Sequence, residues 1–109
     1  MKYDWQQVAA RLRGLVQIHD ELDIPAVAER LGVSEASLRM SVSGRRSMPT
    51  VDVVAAVVRV YGLDPSWVLT GEYNPDTHRE ALESDTDEIE TTLNEMISSR
   101  RPSGERELR

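Results

Sequence analysis

Residues 25–44 read PAVAERLGVSEASLRMSVSG, a pattern typical of two short helices joined by a tight turn. Gly32 lies where the first helix must end in a left-handed residue, which only glycine adopts without steric cost. Ser34 follows, and its hydroxyl can accept a hydrogen bond from an otherwise unpaired N–H of the second helix. The apolar positions that would hold the two helices at a steep angle are Ala28, Leu31, Val33 and Leu38.

Length and composition limit the classes of protein to consider. A chain of 109 residues is sized for one domain with some tail left over. It has no cysteine, so we expect neither a disulfide framework nor a thiolate metal site, which fits a cytoplasmic protein. It has no apolar run long enough for a membrane span, and the first residues, MKYDWQQ, lack the apolar segment of a secretory signal.

The net charge of −6 is unevenly distributed along the chain. Residues 1–75 carry eight Lys and Arg against nine Asp and Glu, whereas residues 76–109 carry five Arg against ten acids. A protein that binds nucleic acid indiscriminately normally has a basic surface, which this composition disfavours. The nearly neutral first part can still bind DNA if its few cations share one face.

The residues before this stretch predict a long amphipathic helix capped by Asp4. Its apolar face follows helical spacing and comprises Trp5, Val8, Ala9, Leu12, Leu15, Val16, His19 and Leu22. We expect His19 to be a core or boundary histidine. Asp23 then caps the second helix, with Pro25 in its first turn. The third helix covers residues 35–43 and ends near Gly44.

Two more helices follow a basic loop, GRRSMPT at residues 44–50. Thr50 caps the fourth, which ends at Gly62 and is apolar on nearly every side. Its many valines would also suit a strand, but about ten residues between a cap and a glycine favour a helix. Asp64-Pro65 opens a short fifth helix that Gly71 closes. The sequence thus predicts a compact all-α domain of five helices over residues 1–74.

Beyond this domain, Asn74-Pro75 indicates a linker, and the following residues are acidic. A thin apolar stripe predicts one more helix over about residues 84–100, with acids at its start, Arg100-Arg101 at its end and Pro102 beyond. The stripe is formed by Leu82, Ile89, Leu93, Met96 and Ile97. It could pack on its own domain or on a second copy, and disorder is the alternative. Residues 75–101 are therefore a linker and acidic helix, and residues 102–109 a flexible terminus.

Residues 4–74 resemble the lambda-repressor and Cro-like helix-turn-helix family of XRE-type regulators, and in particular prophage repressors. The resemblance is carried by VAERLGVS at residues 27–34, by Gly44 with its basic loop and Pro49-Thr50, and by YGLDPSWVLTGE at residues 61–72. It covers about two thirds of the chain. It implies a transcriptional regulator that binds double-stranded DNA as a homodimer, with residues 35–43 in the major groove.

The resemblance also assigns roles to individual residues. Glu35, Ala36 and Met40 would face base edges, with Ser34, Ser37 and Arg39 alongside. Four residues would lie along the phosphate backbone of the DNA: Ser43, Gly44, Arg45 and Arg46.

This chain departs from the family at several of these positions. The second helix begins with Ile24, where the family usually has a glutamine that donates to a phosphate. Glu35 can only accept, as from a cytosine amino group, and Ala36 and Met40 offer apolar contact, as with a thymine methyl. Direct reading of bases would then rest on Ser37, Arg39 and Ser41.

Other interpretations apply to several of these side chains. Arg45 and Arg46 also complement a helix dipole, and Arg39 could simply be solvated. We expect Arg11 and Arg13 to be solvated. The large aromatics Trp5, Tyr61 and Trp67 would pack in the core or in a dimer interface. His78 is an isolated residue in the tail, and the sequence shows neither a metal-ligand spacing nor a catalytic set, so we expect no cofactor and no enzyme.

Three functions follow from these patterns. The first is a repressor that occludes a promoter, with its dimer contact supplied by the tail helix or by an exposed edge at Trp67, Val68 and Leu69. The second is an antitoxin or antirepressor whose acidic tail occupies the basic site of a protein partner. The third is a helix-turn-helix fold that has lost DNA binding and serves assembly.

Overall fold

All regular secondary structure in the described part of the chain is α-helix. A computed structural model describes residues 4–20, 23–42 and 48–98. Within these ranges there are seven helices and no strand, and the helices are α1 Trp5–Asp20, α2 Ile24–Leu31, α3 Glu35–Val42, α4 Val51–Tyr61, α5 Pro65–Thr70, α6 Pro75–Leu82 and α7 Thr86–Ser98. None of them combines the length and the apolarity that crossing a membrane requires.

Polar side chains start the helices where the sequence predicts. The Asp4 carboxylate accepts from the backbone N–H groups of Gln6 and Gln7 at 3.1 and 3.3 Å. Asp23 starts α2 in the same way, accepting from the Ala26 N–H. Thr50 occupies the N-cap position of α4, but its hydroxyl makes no capping bond. That hydroxyl oxygen is buried without a partner in the described residues, so only its predicted position is correct.

Helix α4 lies at the centre of the fold. Residues 53–58 are all buried, because α4 is in contact with α2, α3, α5, α6 and α7. A helix covered on most of its circumference can carry valine and alanine on every side, which explains why its sequence looks almost strand-like. The helix predicted for this segment is confirmed, and the strand alternative is wrong. Helix α1 packs on α3 and α5 with Val8, Leu12 and Val16 fully buried.

Residues 75–82, predicted to be a linker, instead form α6. Asn74 is the N-cap and its side chain accepts from the N–H groups of Asp76 and Thr77, with Pro75 in the first turn. Only Ala81 of this helix is buried, so the sequence has no apolar stripe that would predict α6. Polar contacts at its N-terminus hold it in place, as described below.

Helix α7 confirms the helix predicted near residues 84–100 and resolves what its apolar stripe covers. Ile89 and Leu93 are 1% exposed and lie against α4 of the same chain. Leu82, assigned to the same stripe, belongs to α6 and is 61% exposed. Asp85 and Glu88 each bind the other's backbone N–H at 2.8 Å, a capping box at the start of α7. The apolar core is thus continuous from α1 to α7, and a domain boundary at residue 74 stays a prediction.

Candidate nucleic-acid interface

The turn between α2 and α3 has the geometry that the sequence predicts. Gly32 adopts φ +76°, and the N–H groups of Gly32 and Val33 both donate to the Ala28 carbonyl, at 2.9 and 3.0 Å. The Ser34 hydroxyl accepts from the Ser37 N–H at 3.0 Å and starts α3. A left-handed glycine followed by a capping serine therefore fixes the direction of α3 relative to α2.

The inward side of α3 is fully used by the fold. Leu38 and Val42 are buried in the core. Ser41 is buried as well: its hydroxyl donates to the Ser37 carbonyl at 2.9 Å and accepts from the Thr50 N–H at 3.2 Å. The interpretation of Ser41 as a base-reading residue is therefore wrong, because the hydroxyl joins α3 to the start of α4.

The outward side of α3 carries the remaining candidates. Glu35, Ala36, Arg39 and Met40 are exposed, and Ser37 is half-buried. The Arg39 guanidinium lies 3.7 Å from the Glu35 carboxylate, with both side chains more than half exposed. Met48, also exposed, donates its backbone N–H to the Met40 carbonyl at 2.8 Å, which places a second methionine beside this face. The outward face of α3 thus offers one ion pair and the apolar side chains of Ala36 and Met40.

The two arginines of α1 bind carbonyl groups. Arg11 donates to the carbonyls of Val68 and Leu69 at 2.9 and 3.2 Å, and its Cζ lies 5.9 Å from the centroid of the Trp67 ring. Burial lowers the pKa of the Arg11 guanidinium, and the Asp4 carboxylate opposes that shift. Arg13 donates to the Val42 carbonyl at 2.9 Å, near the described end of α3. The expectation of a solvated side chain is wrong for Arg11, which is half-buried, whereas Arg13 is exposed as expected and also donates to the end of a helix.

Ile24 is half-buried and packs against the apolar core, which gives a physical reason for an apolar residue at this position. Ser43, Gly44, Arg45 and Arg46 lie outside the described residues, as does the His19 side chain. In the described ranges no three His, Asp or Glu side chains converge in a way that could hold a metal ion. The candidate interface therefore rests on the outward face of α3.

The sequence matches the family model described as a helix-turn-helix domain over residues 7–68. The chain belongs to the helix-turn-helix domain family. This match runs from α1 into α5 and contains the whole α2–α3 pair, so the family supports a DNA-binding domain. Searches of the curated proteins and of the solved structures found no match.

Helix α6 and the contacts of two arginines were not predicted from the sequence. Helix α6 lies beyond the helix-turn-helix match, which ends at residue 68. Asn74-Pro75 is the sequence signal that could have identified α6, because an Asx residue before proline is also the signal that opens α5. The contacts of Arg11 and Arg13 join distant parts of the chain and leave no local signal.

Proposed function

We propose that this protein is a sequence-specific DNA-binding regulator of the lambda-repressor and Cro-like type. It would act as a homodimeric repressor that inserts α3 into the major groove. The observation that carries the proposal is the division of α3 into two sides. Leu38, Ser41 and Val42 are committed to the fold, while the opposite side is exposed within a helix-turn-helix unit.

The chemistry of the outward side supports a definite kind of reading. Ala36 and Met40 supply apolar contact of the type that a thymine methyl accepts, and Glu35 can accept from a cytosine amino group. Arg39 can donate to a guanine or a phosphate once it leaves Glu35, because an exposed pair of this geometry is worth less than about 1 kcal/mol. Arg45 and Arg46 are proposed to contact the phosphate backbone.

The homodimer is proposed from the family resemblance. A two-fold arrangement would place two copies of α3 in successive major grooves about 34 Å apart. The predicted dimer edge is corrected in part, since Val68 and Leu69 are at most 2% exposed and only Trp67 remains partly accessible. Sedimentation velocity across a concentration range, with and without operator DNA, would measure the oligomeric state. If the protein bound to its operator at micromolar concentration is a monomer, the homodimer is refuted.

The test of DNA binding is a selection of genomic fragments with the purified full chain, followed by a salt titration of each enriched fragment. A regulator that contacts a few phosphates loses affinity steeply as salt rises, because counterions are released on binding. We expect an enriched fragment with an inverted repeat and a negative salt slope. If no fragment is enriched at low salt, DNA binding is refuted.

Substitutions on the surface separate phosphate contacts from base contacts. Arg45→Ala with Arg46→Ala should weaken all sequences about equally and reduce the salt slope by about 1 per lost contact. Met40→Gln should instead change which sequence is preferred. Arg79→Ala is the matched control, since Arg79 is an exposed arginine on α6 whose partner is the neighbouring Asp76. An Arg79→Ala effect as large as that of the arginine pair would place the DNA elsewhere.

The alternative proposal is an antitoxin or antirepressor that binds a protein through its acidic segment. Residues 75–98 carry eight carboxylates and a single arginine, and most of these acids are exposed, which favours a basic partner. Glu88→Gln with Glu95→Gln would leave the buried Ile89 and Leu93 in place. Co-expression with the product of the adjacent gene should then give a stoichiometric complex with the parent chain and none with the variant. An equally stable complex with both chains would exclude this role of the acids.

A further inference from the structure

A pocket of about 380 Å³ lies between α1, α5 and α6, away from the outward face of α3. Its walls include Leu15 of α1, Leu63 before α5, Trp67 of α5 and the ring side chains of Tyr73 and His78. Asp64 and Gly62 complete the lining. Neither the helix-turn-helix unit nor the family match gives this pocket a role.

Two of the rings are held in place by hydrogen bonds. His78 Nε2–H donates to the Gly62 carbonyl at 2.9 Å, which leaves Nδ1 to accept from the Tyr73 hydroxyl at 2.7 Å. The Tyr73 and His78 rings meet edge to face, with centroids 5.4 Å apart and an interplanar angle of 78°. Tyr73 is therefore oriented at the pocket although 60% of it is exposed. A ring that is both fixed and exposed is available to a ligand.

The Asp64 carboxylate beside the pocket has no ion-pair partner among the described residues. The residue is 3% exposed, and its carboxylate accepts from the N–H groups of Ser66 and Trp67 at 3.0 and 3.2 Å. It also accepts from the Asn74 N–H at 2.6 Å and from the Thr77 hydroxyl. All four donors are neutral, and within the described residues no Lys, Arg or His forms an ion pair with it. A buried carboxylate held only by dipoles favours a cation nearby.

We infer that this pocket binds a small organic cation, such as a quaternary ammonium group. Aromatic faces attract cations through the ring quadrupole, and the buried carboxylate adds a charge of the matching sign. Trp67 already has one cationic neighbour inside the fold, since the Arg11 guanidinium lies over its ring and is held by the Val68 and Leu69 carbonyls. An anion would be repelled by Asp64, and the volume accommodates a trimethylammonium group with a short chain.

The test compares two probes of the same shape. Choline carries a trimethylammonium group, and 3,3-dimethylbutan-1-ol replaces its charged nitrogen by carbon. Titration calorimetry on the full chain should show saturable choline binding at least about fivefold tighter than that of the neutral alcohol, the ratio expected for a cation on aromatic faces. The indole N–H signal of Trp67 should shift in the NMR spectrum. Equal affinities, or no saturation by choline, would overturn the inference.

Substitutions at Tyr73 test the site without disturbing the core, because most of this side chain is exposed. Tyr73→Leu removes the ring and should weaken choline binding at least about threefold, whereas Tyr73→Phe keeps the ring and should stay within about twofold. Leu82→Ala is the matched control, because Leu82 is equally exposed but does not line the pocket. Unchanged affinity in Tyr73→Leu, or an equal loss in Leu82→Ala, would contradict a site at these rings. This outcome is independent of DNA binding, which involves another surface.

Discussion

Two parts of this chain are built from the same local sequence signals but differ in the contacts that their first capping residue makes. The first unit, residues 23–42, contains α2, a turn at Gly32 and α3. The second unit, residues 64–82, contains α5, a turn at Gly71 and α6. Each begins with an aspartate cap and a proline in the first turn, has a left-handed glycine after its first helix, and starts its second helix at a polar cap.

The difference lies in what the first aspartate touches. Asp23 is exposed and binds one N–H of its own helix at 3.4 Å. Asp64 is buried and reaches across its unit to Asn74 and Thr77, so a single carboxylate joins the starts of α5 and α6. Helix α3 has no such tie at its N-terminus beyond the Ser34 hydroxyl, and its inner side holds it. The first unit therefore leaves one face for a partner, while the second is fastened within the fold.

The largest expected effect is that of removing the Asp64 carboxylate. Asp64→Ala leaves four donors without their acceptor, so we expect the free energy of unfolding to fall by about 3 kcal/mol. Asp23→Ala, the matched change in the first unit, should cost about 1 kcal/mol. Urea denaturation followed by far-UV circular dichroism measures both. Equal losses would mean that burial of Asp64 contributes nothing beyond ordinary capping.

Alanine substitutions at Gly32 and Gly71 should differ in their effect on stability by less than the two aspartate substitutions do. Both glycines have positive φ, +76° at Gly32 and +85° at Gly71, so alanine costs about 1 kcal/mol at either position. An added Cβ at Gly71 would lie 3.3 Å from Nη1 of Arg11, whereas nothing lies within 4 Å at Gly32. Because Arg11 is held by two carbonyls, Gly71→Ala should lower the thermal midpoint further than Gly32→Ala. The reverse order would show that Arg11 adjusts freely.

The caps of the second helices test function as well as stability. Ser34→Ala and Asn74→Ala should each cost about 1 kcal/mol, somewhat more for Asn74 because its side chain accepts from two N–H groups. Under the proposed function, Ser34→Ala should also weaken binding to the selected operator in an electrophoretic shift assay. Asn74→Ala should leave that binding unchanged. A loss of operator binding in both variants would not support the functional separation of the units.

The smallest effect is expected at Thr50, a cap position without a capping bond. Its hydroxyl oxygen is buried and unpartnered among the described residues, so Thr50→Val removes an unsatisfied group while keeping the shape of the side chain. The free energy of unfolding should stay within about 0.5 kcal/mol of the parent value or rise slightly. Differential scanning calorimetry can resolve this. A loss above about 1 kcal/mol would mean that the hydroxyl has a partner, such as a bound water.

Local signals predicted most of the helices, because capping residues and apolar spacing act over short distances. The α2–α3 pair, the helical rather than extended α4, and the helix near residues 84–100 are confirmed. Helix α6 was missed because a polar contact to Asp64, not an apolar stripe, holds it. Asn74-Pro75 is a signal both for a linker and for a helix start, and the acidic residues that follow do not separate the two.

The surface roles were harder to predict, since they depend on partners far away in the sequence. Ser41 follows the exposed residues of α3 but turns inward to the Thr50 N–H. Arg11 binds carbonyls 57 and 58 residues away, and Arg13 one that is 29 residues away. No pattern within a few residues encodes such contacts. The assignments of Glu35, Ala36, Met40, Arg45 and Arg46 to DNA stay predictions that the proposed variants test.

The burial of Ile89 and Leu93 against α4 has a practical consequence for anyone who shortens the chain. A fragment that stops at the end of the family match would uncover an aliphatic strip on the central helix. Exposed apolar strips of this kind promote self-association. Size-exclusion chromatography of such a fragment would therefore report non-specific association instead of a native dimer. Helix α7 lies outside the family match, yet it covers the apolar surface of α4 and should therefore be kept in any shortened chain.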